Sequence, residues 1–198
     1  MAFPLQTMLP TTPEAYLAWE EKQTDRHEFY QGEVFVMPGG TYRHALITMN
    51  VGGELRDALR QTDCHVLSGD MRINVTANGL FTYPDVSVVC GEPRFLNDRE
   101  TTLLNPTLLV EVLSDSTEAY DRGNKFKLYR GLDSLREYLL VSQQTRSVEV
   151  FRRDDAGWRI VEPDGEGRVV LTSIGAELDV AAVYTGVTTD DELPSEPE

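Results

Sequence analysis

Two acidic residues interrupt stretches whose other members suit a protein core. Asp85 follows Pro84 at the start of the apolar run Tyr83 to Cys90, and Glu111 stands inside Leu108-Leu109-Val110-Glu111-Val112-Leu113. An ionised carboxylate in such surroundings is costly unless it has a partner. Both runs have the length and the Val and Leu content of buried strands. On neighbouring strands the two carboxylates can project from one face and share a hard divalent cation, which prefers oxygen ligands. Taken singly, either acid is better explained as a buried carboxylate paired to an arginine.

The elements that must position these residues follow from period and punctuation. Thr12 before Pro13, with Glu14, Glu20 and Glu21, predicts a short helix over residues 11–21. His27 to Met37 predicts a hairpin around Gln31-Gly32, ended by Pro38-Gly39-Gly40. Apolar residues at Ile47, Val51, Leu55, Ala58 and Leu59 predict a long helix from Arg43 to Arg60 with one buried face. Strands are predicted at Cys64 to Val75, Tyr83 to Cys90 and Thr107 to Leu113, then a helix over Asp121 to Leu132. Further strands are predicted at Glu137 to Ser142, Ser147 to Arg153, Trp158 to Val161 and Val169 to Leu171.

Composition bounds what these elements build. A chain of 198 residues with 40% hydrophobic and 26% charged side chains has the balance of a single folded domain. No apolar run approaches a membrane span and the first residues lack a signal-peptide pattern, so a cytoplasmic protein with no membrane partner is expected. Cys64 and Cys90 are far apart with no zinc-like spacing, and buried free thiols are expected. The formal net charge of -15 opposes nonspecific nucleic-acid binding, which depends on lysine and arginine. Part of that charge is local: residues 190–198 carry five acidic and no basic side chains. The domain is therefore drawn over 1–187, with 188–198 expected as a disordered acidic tail.

Tyr83-Pro84-Asp85 followed, roughly 25 residues later, by Glu111-Val112-Leu113-Ser114 resembles the PD-(D/E)XK nuclease signature. With Glu28 to Gly32, His44, Asn105-Pro106, Glu111 to Ser116, Asp121 to Lys125, Tyr129 and Glu137-Tyr138, residues 11–187 resemble the Uma-two family of bacterial restriction-endonuclease-like proteins. That resemblance implies an α+β fold with a restriction-endonuclease-like core, a mixed central sheet flanked by helices. It also implies Mg²⁺- or Mn²⁺-dependent hydrolysis of DNA, with Asp85 and Glu111 as metal ligands. The superfamily's lysine belongs two residues after the glutamate, where this chain has Leu113.

Lys125 is the expected substitute, because it falls near the centre of the apolar arc of Phe126, Leu128, Tyr129 and Leu132. Lys127 falls nearly opposite. His44 shares the inward arc of Ile47, Val51 and Leu55, and the resemblance suggests a ligand or water-orienting role; a hydrogen-bonded core histidine is the alternative. Glu28 and Glu33 either approach the site or are solvated hairpin residues, with solvation favoured. Ser114 to Thr117 is expected to serve as capping or turn chemistry, and Arg122, Lys127, Arg130 and Arg136 as a solvated face that could meet phosphate. Phe81 and Tyr83 could stack on a base but more often such residues pack in cores. A homodimer would suit two cuts in a duplex. A binding module without activity, or a hydrolase of small phosphoesters, are the rival functions.

Overall fold

The computed structural model describes residues 9–192. Thr12 caps α1 (Pro13–Glu20), its hydroxyl oxygen accepting from Ala15 N at 3.3 Å. Strands β1 (His27–Tyr30) and β2 (Glu33–Val36) form the hairpin. Its two central residues, Gln31 and Gly32, have φ of 50° and 84°, the left-handed conformation that matches the twist of a two-residue turn. Helix α2 (Tyr42–Ala58) starts at the Thr41 cap and buries Ile47, Val51 and Leu55, with Leu59 buried just beyond its end, as the periodicity predicted; Ala58 of the same expected face is exposed.

The next strands are β3 (Cys64–Ser68), β4 (Arg72–Val75), β5 (Leu80–Thr82), β6 (Val86–Cys90), β7 (Thr102–Leu103) and β8 (Leu108–Leu113). A helical segment follows, made of α3 (Glu118–Tyr120), a π-helical turn (Asp121–Lys125) and α4 (Phe126–Tyr129). The rest comprises β9 (Glu137–Ser142), β10 (Val148–Asp154), β11 (Gly157–Val161), β12 (Arg168–Leu171), β13 (Ala176–Asp179) and α5 (Val180–Val183).

These strands form an α+β architecture with mixed sheets. The larger sheet has the order β11-β10-β9-β8-β6-β3 and is antiparallel except for the β8–β9 pair. A second sheet, β2-β1-β5-β4-β7, lies beside it, and β12 and β13 form a separate hairpin. The expected single central sheet is thus divided, and the divisions fall inside two expected strands. Cys64 to Val75 breaks after Ser68, because β3 pairs with β6 in one sheet and β4 with β5 in the other. The chain crosses back at Tyr83-Pro84-Asp85, where Pro84 has no N–H to extend a ladder. The two crossings touch: a Cβ on Gly69 would lie 3.4 Å from the carbonyl oxygens of both Pro84 and Asp85.

Strand β8 is buried on both faces, which explains its nearly continuous apolar sequence. Leu108, Val110 and Val112 pack with α2, α5 and the β12–β13 hairpin. Leu109 and Leu113 join the opposite layer with Ile73, Leu80, Tyr129 and Leu132. Alternation places Glu111 on that second face, between Leu109 and Leu113.

Two expectations require correction. Cys64 and Cys90 are register partners on β3 and β6 and form a disulfide, not a pair of free thiols. Their distance along the chain concealed a pairing that only strand register creates. The boundary at 188 also falls too early: Thr189 is fully buried and residues Asp190–Glu192 form a helical turn bonded to the domain. Residues 193–198 of the expected tail lie outside the described residues. Among the described residues no helix is long and apolar enough to cross a membrane.

Candidate active site

Glu111 and Lys125 meet between the two large sheets. The Lys125 ammonium lies 2.9 Å from Glu111 Oε1, 3.1 Å from Glu28 Oε1 and 3.5 Å from Asp121 Oδ1. All four side chains are buried. Tyr129 donates to Glu111 Oε1 at 2.8 Å. Glu28 accepts from the Thr82 hydroxyl and, at 3.3 Å, from Tyr120. The π-helical turn aligns the helical contributors. Four residues of an ideal α-helix overshoot one turn, whereas the wider i→i+5 turn undershoots it; one of each keeps Asp121, Lys125 and Tyr129 all buried.

Asp85 approaches from the crossing between the sheets. The β6–β8 register sets Val86 opposite Val110, one residue short of an Asp85–Glu111 pair. Asp85 instead turns its Oδ2 to the Val112 N–H, at 2.7 Å, a donor that β6 no longer satisfies. His44 Nε2 lies 3.2 Å from the same oxygen, reaching in from the first turn of α2. Gly40 lets the preceding loop pass over this ring, since a Cβ there would be 2.6 Å from His44 Nδ1.

The four residues singled out by sequence therefore form two adjoining pairs, Glu111 with Lys125 and Asp85 with His44. Lys125 was expected to meet both metal-site carboxylates; among the described residues its partners are Glu111, Glu28 and Asp121, and the ion-pair partner of Asp85 is His44. Glu28 is buried in the cluster, against the favoured expectation of solvation, because β1 faces β5 and the helical segment. Glu33 is exposed. Asp121 had no sequence signal beyond its place in the family pattern. Its four-residue spacing from Lys125 is the feature that could have drawn attention to it.

The other candidates have structural positions. Arg122 pairs with Glu118 and Glu149 at 2.7 and 2.8 Å, while Lys127, Arg130 and Arg136 are exposed. Phe81 packs with Tyr16 and Phe29, and Tyr83 donates to Glu20 and accepts from Arg72, both at 3.1 Å. Ser114 bonds Ser116 and Thr117 in the turn before α3.

Charge is strongly perturbed here. Burial pushes Glu111 up to about 8, assisted by the charges of Asp121 and Asp85 and opposed by Lys125. Asp121 is also raised by burial. Burial alone would lower Lys125, but Glu111, Glu28 and Asp121 outweigh it and hold the ammonium well above its ordinary value. The hydrogen bond to Asp85 raises His44, against the effect of burial.

A stability prediction follows. A carboxylate whose folded pKa is raised contributes stability below its unfolded value and loses that contribution as pH rises through the folded one. The melting temperature should therefore fall between about pH 5 and pH 8, where Glu111 is ionised in the unfolded chain but still protonated in the fold. Glu111→Gln should reduce this slope in thermal melts, leaving the part that Asp121 and His44, both also raised, contribute in the same direction. An unchanged slope would assign it to other groups.

Among the described residues no group of three or more His, Cys, Asp or Glu side chains is arranged as a metal site. Asp85 and Glu111 nevertheless suit a hard cation that keeps water in its shell. Among the described residues the hydrogen bonds and ion pairs of Asp85 fall on Oδ2 and those of Glu111 on Oε1, so each retains a second oxygen to offer.

Comparison with known proteins bears on this geometry. A family model, Uma2, described as "Putative restriction endonuclease", matches residues 13–181. The uncharacterized protein slr1290 of Synechocystis sp. is 39% identical over 179 residues, covering 89% of this chain and 92% of its own. The uncharacterized protein sll1609 of the same organism is 34% identical over 156 residues, covering 78% and 88%. A crystal structure from Anabaena variabilis, titled a "putative nuclease belonging to DUF820", superposes with a TM-score of 0.70 at 15% identity, covering 89% of this chain and 98% of that one.

Proposed function

Because this chain belongs to the Uma2 family of restriction-endonuclease-like proteins, we propose that it is a divalent-metal-dependent nuclease hydrolysing DNA phosphodiester bonds. The observation that carries the proposal is Glu111, a buried β8 carboxylate raised by burial and shared with Lys125 beside the Asp85–His44 pair. Asp85 and Glu111 would hold Mg²⁺ or Mn²⁺. When bound, the cation supplies Lewis-acid polarisation and lowers the pKa of water.

The remaining work falls to the chain's own groups. Lys125, pinned by carboxylates, keeps its proton and can donate toward negative charge developing on a phosphoryl oxygen. It replaces the lysine that Leu113 displaces, projecting from a helix instead of β8. The Val112 N–H fixes the Asp85 carboxylate. His44 can orient the attacking water or take its proton. A homodimer would supply the two sites that a double-strand cut needs. The net charge of -15 favours, as a second reading, hydrolysis of a small phosphoester, whose binding requires fewer cations.

The test is cleavage of plasmid, single- and double-stranded oligonucleotides and a small chromogenic phosphoester, each with Mg²⁺, Mn²⁺ or EDTA. Metal-dependent cleavage of DNA supports the nuclease; turnover of the small ester alone favours the second reading, and no turnover favours a binding module. His44→Ala should slow DNA cleavage by about 10²-fold. It should change the melting temperature little, because the His44–Asp85 contact is partly exposed. A lowered melting temperature with unchanged turnover would make His44 a structural residue.

A further inference from the structure

Two arginines, one of them next to His44 in the chain, are held by acidic groups from the far end of the chain. Arg43 precedes His44 on α2, and its Nη1 donates at 2.8 Å to Asp190 Oδ1 and at 2.9 Å to the Gln143 carbonyl. Arg146 lies in the β9–β10 turn, its Nη2 2.8 Å from Glu192 Oε1. Asp190 and Glu192 belong to the same short turn, which is closed by Thr189 N and Oγ1 donating to Glu192 Oε2 at 3.1 Å each. The turn is anchored to the domain by Asp190 N donating to Gln144 O at 2.7 Å.

This contact sits at the end of the strands that carries the site. Gln143 donates to the carbonyl of Leu113, two residues beyond Glu111, at 2.7 Å and accepts from Thr41, the cap of α2, at 2.9 Å. The first turn of the 17-residue helix α2 adds positive potential to the same place. We propose that Arg43 and Arg146 are a phosphate-binding pair for the DNA backbone, and that Asp190 and Glu192 occupy it as an intramolecular substitute for phosphate. The inference rests on the nuclease proposal and adds how so acidic a chain would hold its substrate.

The chemistry favours exchange. A guanidinium binds carboxylate and phosphate oxygens with the same forked donors. The side chains of Arg146 and Glu192 are 45% and 37% exposed, and Arg43, at 29%, is half-buried opposite Asp190 at 53%. Exposed ion pairs contribute little and weaken with salt, so a polyanion offering several phosphates can displace them. Neutral side chains can keep the turn: Asp190 N to Gln144 O and Glu192 N to Thr189 O are backbone bonds, and an amide oxygen at position 192 can still accept from Thr189.

The test compares the wild-type chain with Asp190→Asn/Glu192→Gln, in which the amides keep the hydrogen-bond acceptors but lose the charge. Binding of a fluorescent duplex oligonucleotide is measured by anisotropy in Ca²⁺ across a salt series. The variant should bind about ten-fold more tightly at low salt, with a salt dependence steeper by roughly two phosphate contacts. Adding Arg43→Gln and Arg146→Gln should return the affinity to wild-type or weaker. Equal affinity and slope for wild type and variant would overturn the inference, as would tighter binding that persists without the arginines or an absence of DNA binding by every variant. Cleavage is read separately in Mg²⁺: tighter, arginine-dependent binding without cleavage would sustain this inference and remove the nuclease proposal.

Discussion

The Asp85→Asn, Glu111→Gln double variant is expected to lose divalent-metal binding and to cleave DNA slower by on the order of 10³-fold or more, while remaining folded. Each substitution preserves the local bonds. The amide oxygen introduced by Asp85→Asn can still accept from the Val112 N–H, and the one introduced by Glu111→Gln can still accept from Tyr129 and Lys125, at the positions of the carboxylate oxygens they now use. What disappears is the negative charge that a hard cation requires. Above pH 7 the variant should be at least as stable as the wild type, since it no longer ionises a carboxylate that burial holds at about 8. Calorimetric titration with Mn²⁺, beside thermal melts, separates the two effects. Retained Mn²⁺ affinity in the folded variant would remove this carboxylate pair as the metal site.

Lys125→Met is expected to reduce cleavage by about 10² to 10³-fold, and Lys127→Met to change it little. The structure adds a cost to the first substitution. Lys125 is buried against three carboxylates, and removing its charge leaves Glu111, Glu28 and Asp121 in one buried space without their cationic partner among the described residues. Breaking such a pair typically destabilises by about 3–5 kcal/mol. Because Lys125 lowers the pKa of both Glu111 and Asp121, its loss raises them further, so the variant should lose stability more steeply as pH rises. Cleavage is therefore compared at the lowest pH that supports wild-type turnover, with folding checked by melts under the same conditions. Loss of cleavage by folded Lys125→Met with metal affinity retained assigns the lysine to the reaction. Near-wild-type cleavage, or equal effects at Lys127, would leave Lys125 as an ion-pair anchor.

Much of the scaffold was legible because it depends on local period. The 3.6-residue spacing of Ile47, Val51 and Leu55 marked the buried face of α2, and Glu111 stood out as a charge within the unbroken apolar run of β8. Lys125 followed from the arc of its helix even though a π-helical turn distorts that arc, since the distortion spans only Asp121–Lys125. What remained hidden depends on which strand lies beside which. The single run Cys64 to Val75 conceals a transfer between sheets, and the Cys64–Cys90 bond exists only in the β3–β6 register. Glu28 resembled a solvated hairpin residue because half of that hairpin is solvated: Glu33 and Val36 are exposed on β2, while β1 is covered. Nothing local to Glu28 says which strand becomes the inner one.

The division of the strands into two sheets has a consequence for how the site fails. Glu111 is carried by one sheet, Glu28 by the other, Asp85 by the chain that crosses between them, and Lys125 bonds across the gap. Each sheet keeps its own ladder of hydrogen bonds, but no single ladder holds the constellation together. The site therefore reports the alignment of two bodies, much as a vernier reports a small slip between two scales that are each undeformed. A slide of about 1 Å would leave both sheets intact and misplace the groups proposed to react enough to matter.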